Sequence, residues 1–176
     1  VFQRLRAQDQ LTLRVWQSLP PDRLPALARA GIRSNFGDAM LRAGYIKVFL
    51  DGTLSSGTAL TMDGGGVSVT SPEEFREIVL EAAAGGFPVA VHAIGDLANR
   101  QALDAFEETA DVWRPLGLRQ RIEHAQLLAP EDVPRFAQLG VAVSCQFSHA
   151  PCDRDLTDSV WPSMRERAYL FRSLVD

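Results

Sequence analysis

Short apolar runs alternate along the chain with longer segments whose apolar positions recur at helical spacing. The runs are Leu11–Val15, Gly44–Leu50, Pro88–Ala93, Arg119–His124 and Val141–Phe147, and each reads as a strand. Val1 to Gln10 reads as the tail of a helix. Pro20, Pro21 and Asp22 open a second helix through about Ala30, with Gly31 as its stop. Ser71, Pro72 and Glu74 give a capped start to a third, whose buried face is Phe75, Ile78, Val79 and Ala82 and whose end is Gly85-Gly86. Asp96 is placed to cap a helix over Leu97 to Thr109. Ala129-Pro130 leads into one that carries Val133, Phe136 and Ala137 and stops at Gly140, and a last helix begins near Pro162.

Five strand candidates separated by helices argue for βαβ units on a parallel sheet. The run Y-I-K-V-F-L is continuously apolar apart from Lys47, which suggests burial on both faces. No Gly-x-Gly-x-x-Gly follows any strand, so a dinucleotide-binding sheet is disfavoured. Gly52 to Thr70 is a long connection of the kind used for lids and binding loops. Its run Gly64-Gly65-Gly66 lacks the lysine of a phosphate-binding P-loop. No linker divides the chain, so 1–176 reads as a single domain.

A formal charge of −4 without any Lys/Arg-rich block gives no footprint for nucleic acid or an anionic membrane. No apolar run approaches the roughly 20 residues of a membrane span, and the start lacks the form of a signal peptide. Cys145 and Cys152 have no paired spacing, so the expectation is two reduced thiols in a cytoplasmic protein.

Chemistry concentrates at strand ends. Lys47, His92 and His124 interrupt three apolar strands, and a buried ammonium must snorkel out, find a carboxylate or be chemically altered. His92, in V-A-V-H-A-I-G-D, and His124 each close a strand, where ligands gather in α/β folds. Each is either a hydrogen-bonded structural histidine or a metal ligand. Three such residues on three strands favour a zinc or iron site. Asp51 is either a turn residue or a carboxylate that orients a ligand, and His149 is either a substrate contact or loop surface. Glu123, next to His124, should point to the opposite side.

The segments I-K-V-F-L-D-G (Ile46 to Gly52), V-H-A-I-G-D-L-A-N (Val91 to Asn99), R-I-E-H-A-Q (Arg121 to Gln126) and P-E-D-V-P-R-F-A-Q-L-G-V-A-V-S-C-Q-F-S-H-A (Pro130 to Ala150) together resemble family 3 of the amidohydrolase superfamily, in its N-substituted formamide deformylase-like branch. The resemblance implies a metal-dependent hydrolase on a (β/α)8 TIM-type barrel. Lys47 would match the fourth-strand lysine that can be N-carboxylated, His92 the fifth-strand histidine and His124 the sixth-strand histidine, with one or two divalent metals, zinc foremost. The reaction implied is hydrolysis of an amide or other non-peptide C–N bond in a small molecule by metal-activated water.

The family's His-x-His pair and its final-strand aspartate do not occur in this sequence. The chain is therefore expected to be a partial barrel, about units three to seven of a longer enzyme, inactive alone, able to lack the metal, and prone to self-association through its sheet edges. The alternative is a non-catalytic α/β module whose histidines and lysine are structural.

Overall fold

Five parallel strands form one sheet in the order of the chain: β1 (Val15–Leu19), β2 (Leu41–Phe49), β3 (Val89–Ala93), β4 (Arg121–His124) and β5 (Ala142–Ser144). The computed structural model describes residues 1–175. Around the sheet lie α1 (Phe2–Ala7), α2 (Leu24–Arg29), α3 (Pro72–Ala84), α4 (Asp96–Glu108), α5 (Ala110–Trp113), α6 (Val133–Leu139), α7 (His149–Cys152) and α8 (Arg154–Val160). The strand order never reverses, so right-handed crossovers put the connecting helices on one side of the sheet.

That arrangement makes the two faces chemically different. Ile46 and Val48 of β2, Val89 and Val91 of β3 and Ile122 of β4 share the covered face and pack with Phe75 and Val79 of α3, Leu103 and Phe106 of α4 and Phe136 of α6. Burial of each such side chain contributes about 1.5–3 kcal/mol. Tyr45, Lys47 and Phe49 alternate with this set, and register aligns them with Ala90, His92, Arg121, Glu123 and Ser144 on the other face. The expectation of burial on both faces of β2 is thereby corrected, since Phe49 is 49% exposed. The unbroken apolar run conceals an alternation in which the second face carries a tyrosine, a lysine and a phenylalanine.

A smaller core closes the C-terminal end of the strands, built from Leu54 and Ala59 of the long loop, Ile94, Leu127, Trp161 and Met164. It explains why no helix starts at Pro162. Trp161 and Met164 are drawn inward, and the chain turns through Pro162–Met164 into a short 3-10 turn at Arg165–Arg167. The first strand also lies later than Leu11–Val15, because Leu13 is exposed and pairing begins with Val15 beside Leu41. The last strand pairs over only three residues rather than Val141 to Phe147.

The capping of α3 is as expected, with Ser71 Oγ accepting from the Glu74 amide at 3.2 Å. Asp96 differs, because Gly95 is the cap of α4. The buried Asp96 carboxylate instead accepts from the Met62 amide at 2.9 Å and pairs with Arg167 at 3.0 Å, tying the long loop and the C-terminal segment to the end of β3. On the outer side Asp132 is nearly fully buried and receives both Arg100 (2.9 Å) and Arg135 (3.0 Å), which brace α4 against α6.

Candidate metal centre

Lys47 and His92 reach the same face by plain alternation, since Lys47 pairs in register with Ala90, and Phe49 with His92. The Lys47 Nζ sits 4.5 Å from the centre of the Phe49 ring, which in turn lies 5.3 Å from the His92 ring. Burial pushes the Lys47 ammonium down to about 8, with Glu123 attracting it and Arg121 repelling it. Glu123 is itself held by Arg121, Nε to Oε1 at 2.8 Å, and Arg121 also reaches Ser144 Oγ at 3.1 Å. Glu123 thus faces the same side as His92, its register partner.

His124 arrives by a different route. Register pairs it with Ala93, so a regular strand would turn its ring toward the helices. The backbone instead turns left-handed, φ +76° at His124 and +48° at Ala125. The Ala125 amide donates to both Glu123 O and Ala93 O at 3.1 Å, closing a γ-turn of the rare positive-φ form around His124. Its ring now stands 4.7 Å from that of His92, edge-on at 70°. His149, the first residue of α7, stacks on the other side of His124 at 6.1 Å.

Each imidazole has one nitrogen committed. The Gly52 carbonyl can only accept, so His92 Nε2–H donates to it at 2.8 Å and Nδ1 keeps the lone pair. His124 Nδ1 bonds Gln146 Oε1 at 2.6 Å, leaving Nε2 as the lone-pair nitrogen. Burial holds both imidazoles below their ordinary titration range, so they are neutral at neutral pH. Metal-binding histidines usually show this pattern, one nitrogen donating to an oxygen and the other open.

Asp51 lies behind the pair. Its carboxylate accepts from the amides of Ile94 (3.1 Å), Gly95 (2.8 Å) and Leu60 (3.0 Å), and one oxygen is 3.5 Å from His92 Nε2. Burial pushes its pKa up to about 6 against the pull of these amides. The loop packs so tightly here that a Cβ at Gly95 would fall 1.9 Å from the Leu60 carbonyl oxygen, which leaves room only for glycine. The amides of Gly64 and Gly65 are used within their own loop, on Thr61 and Asp63.

Lys47, His92, His124 and His149 thus gather at one end of the sheet, while Asp51 is a buried anchor beneath it. The donor set of two imidazoles with open nitrogens and a lysine of depressed basicity fits a divalent metal once that lysine carries an anionic oxygen. Among the described residues no group of three His, Cys, Asp or Glu side chains is arranged to hold a metal ion. Sequence reasoning missed Gln146 and the Arg121–Glu123 pair. A glutamine inside V-A-V-S-C-Q-F, four positions after Ala142 and three before His149, was the available signal. Cys145 and Cys152 are free thiols, and no described helix is long and apolar enough to cross a membrane.

Known proteins resemble this chain over most of its length. The amidohydrolase family matches residues 1–174. Protein LONG AFTER FAR-RED 3 of Arabidopsis thaliana is 39% identical over 145 residues, covering 77% of this chain and 25% of that protein. Crystal structures of uncharacterized metal-dependent hydrolases from Pyrococcus furiosus and Pyrococcus horikoshii superpose with a TM-score of 0.85 each, at 31% and 30% identity. Each superposition covers 98% of this chain, but only 36% and 35% of the respective hydrolase. The chain therefore spans about a quarter to a third of the length of these proteins, and its sheet is part of a TIM-type barrel. With residues 1–174 inside the family's pattern, this chain belongs to the amidohydrolase family.

Proposed function

We propose that Lys47, His92 and His124 hold a divalent metal ion, zinc foremost, in a hydrolase of amides or other non-peptide C–N bonds of the formamide deformylase-like kind. The observation that carries this reading is the convergence of two imidazoles from β3 and β4, 4.7 Å apart, each with one nitrogen already donating to an oxygen. Kinship with the amidohydrolase family and likeness to structures described as metal-dependent hydrolases support it. A bound divalent ion supplies Lewis acidity, polarising a carbonyl and lowering the pKa of water toward neutrality.

The chain's own residues prepare the site. Neutral His92 and His124 offer lone pairs, and the Gly52 carbonyl and Gln146 amide fix their orientation. Lys47, with its basicity depressed to about 8, has a neutral amine available to add to carbon dioxide. That addition forms an N–C bond, releases a proton and leaves a carbamate whose anionic oxygen completes the ligand set. His149, on the outer side of His124, contacts substrate, and Asp51 steadies the turn that carries His92.

The 176-residue chain by itself should not turn over an amide panel even with zinc added. Its site carboxylates are occupied, Asp51 by three amides and Glu123 by Arg121, so neither can shuttle a proton. The edges of β1 and β5 are unpaired within the sheet, and we expect them to drive self-association of the isolated chain. The rival reading, a module with purely structural histidines, draws on the one hydrogen bond that each ring makes to protein. Zinc calorimetry on the wild type, His92→Ala and His124→Ala separates the two. Binding lost in both variants supports the site, and equal heats in all three proteins contradict it.

A further inference from the structure

We infer that Gln146 is the positioning residue that fixes His124 as the tautomer with Nε2 open. Two contacts carry the inference. Gln146 Nε2 donates to the Ser144 carbonyl at 3.1 Å, and a carbonyl can only accept, so the amide group must face Ser144 and Oε1 must face His124. The 2.6 Å contact from Oε1 to His124 Nδ1 then requires the proton on Nδ1. Ser144 is the last residue of β5, so the end of one strand dictates which nitrogen is open on the histidine that closes its neighbour.

The geometry makes this control necessary. The γ-turn at His124 moves the ring off the course of its strand, where no backbone group of β4 grips it. Rotation of the ring is then restrained by Gln146 on its Nδ1 edge and by the neighbouring rings of His92 and His149, and among the described residues Gln146 is the one bonded to the ring. A free imidazole prefers the proton on Nε2, so without Gln146 the open nitrogen would be the wrong one. The consequence for metal affinity rests on the metal site proposed above, whereas the tautomer itself does not.

Nitrogen-15 NMR of the full 176-residue chain without metal, above neutral pH, tests the tautomer directly, and three histidines keep the assignment tractable. The wild type should show His124 protonated on Nδ1. Gln146→Glu should retain that form, because a carboxylate accepts the same N–H, and Gln146→Ala should shift it to Nε2–H while circular dichroism shows an unchanged fold. Zinc affinity should then fall about 10–100-fold in Gln146→Ala and recover in Gln146→Glu. Nδ1 protonation that persists in Gln146→Ala, or an Nε2–H form in the wild type, overturns the inference. A correct tautomer pattern with no zinc binding in the wild type upholds the positioning role and sinks the metal reading instead.

Discussion

The rings of His92 and His124 lie 4.7 Å apart although the sheet register assigns their side chains to opposite faces. The left-handed pair His124-Ala125 resolves the conflict. Non-glycine residues in that region are disfavoured by about 1–2 kcal/mol each, and such strain concentrates where function requires it.

Ala125 is fully buried at φ +48°, so a β-branched side chain there meets both backbone strain and a filled core. Ala125→Val should lower unfolding free energy by about 2–4 kcal/mol in urea denaturation. A loss under about 0.5 kcal/mol would show that the turn is not under the stated constraint.

The fold was largely legible because the covered face is a simple matter of apolar periodicity. Ile46, Val48, Val91 and Ile122 announce themselves, as do the Ser71 cap and the Gly31 and Gly140 stops. Lys47 and His92 were legible as polar interruptions of such runs. His124 was legible as a residue but not as a direction, since alternation sends it to the wrong face and a γ-turn between non-glycine residues leaves no compositional mark. Met164 falls within the helix expected from near Pro162 because its burial, like that of Trp161, depends on Leu54 and Leu127, far away in the chain. Asp51 stays open in the sequence between a turn residue and a carboxylate that orients a ligand for the same reason, its three amide partners being contributed by two other segments.

Lys47 should make stability depend on pH. Its folded pKa of about 8 lies below the ordinary 10.5, so the unfolded chain binds more protons between these values and stability rises with pH across that window. Lys47→Met should abolish this rise, leave stability at neutral pH unchanged or slightly higher, and remove zinc binding. Denaturant midpoints at closely spaced pH values decide the matter, and an identical slope in both proteins would refute the assignment.

Asp51→Asn should destabilise by about 1–3 kcal/mol, because the asparagine NH2 would face amides that need an acceptor. Hydrogen exchange should localise the loosening to the amides of Leu60, Ile94 and Gly95. Protection unchanged at all three would contradict the anchoring role.

Tyr169 fastens the C-terminal segment, its hydroxyl donating to Asp153 at 2.9 Å and accepting from Gln126 at 2.6 Å. Burial, reinforced by Asp153, raises its pKa to about 12 from the ordinary 10, so this contribution is present below pH 10 and is lost as pH rises toward 12. Tyr169→Phe should cost about 1 kcal/mol at neutral pH and should remove that alkaline loss. Thermal unfolding at a series of alkaline pH values checks the sign, and a variant that still loses stability in the same window would refute it.

The most direct test of the metal site is an anomalous-scattering map of the chain crystallised with zinc. The account predicts a single strong peak in contact with His92 Nδ1, His124 Nε2 and the modified Lys47 side chain. An empty map between those imidazoles at saturating zinc, or a peak confined to His149 and the cysteines, would contradict it.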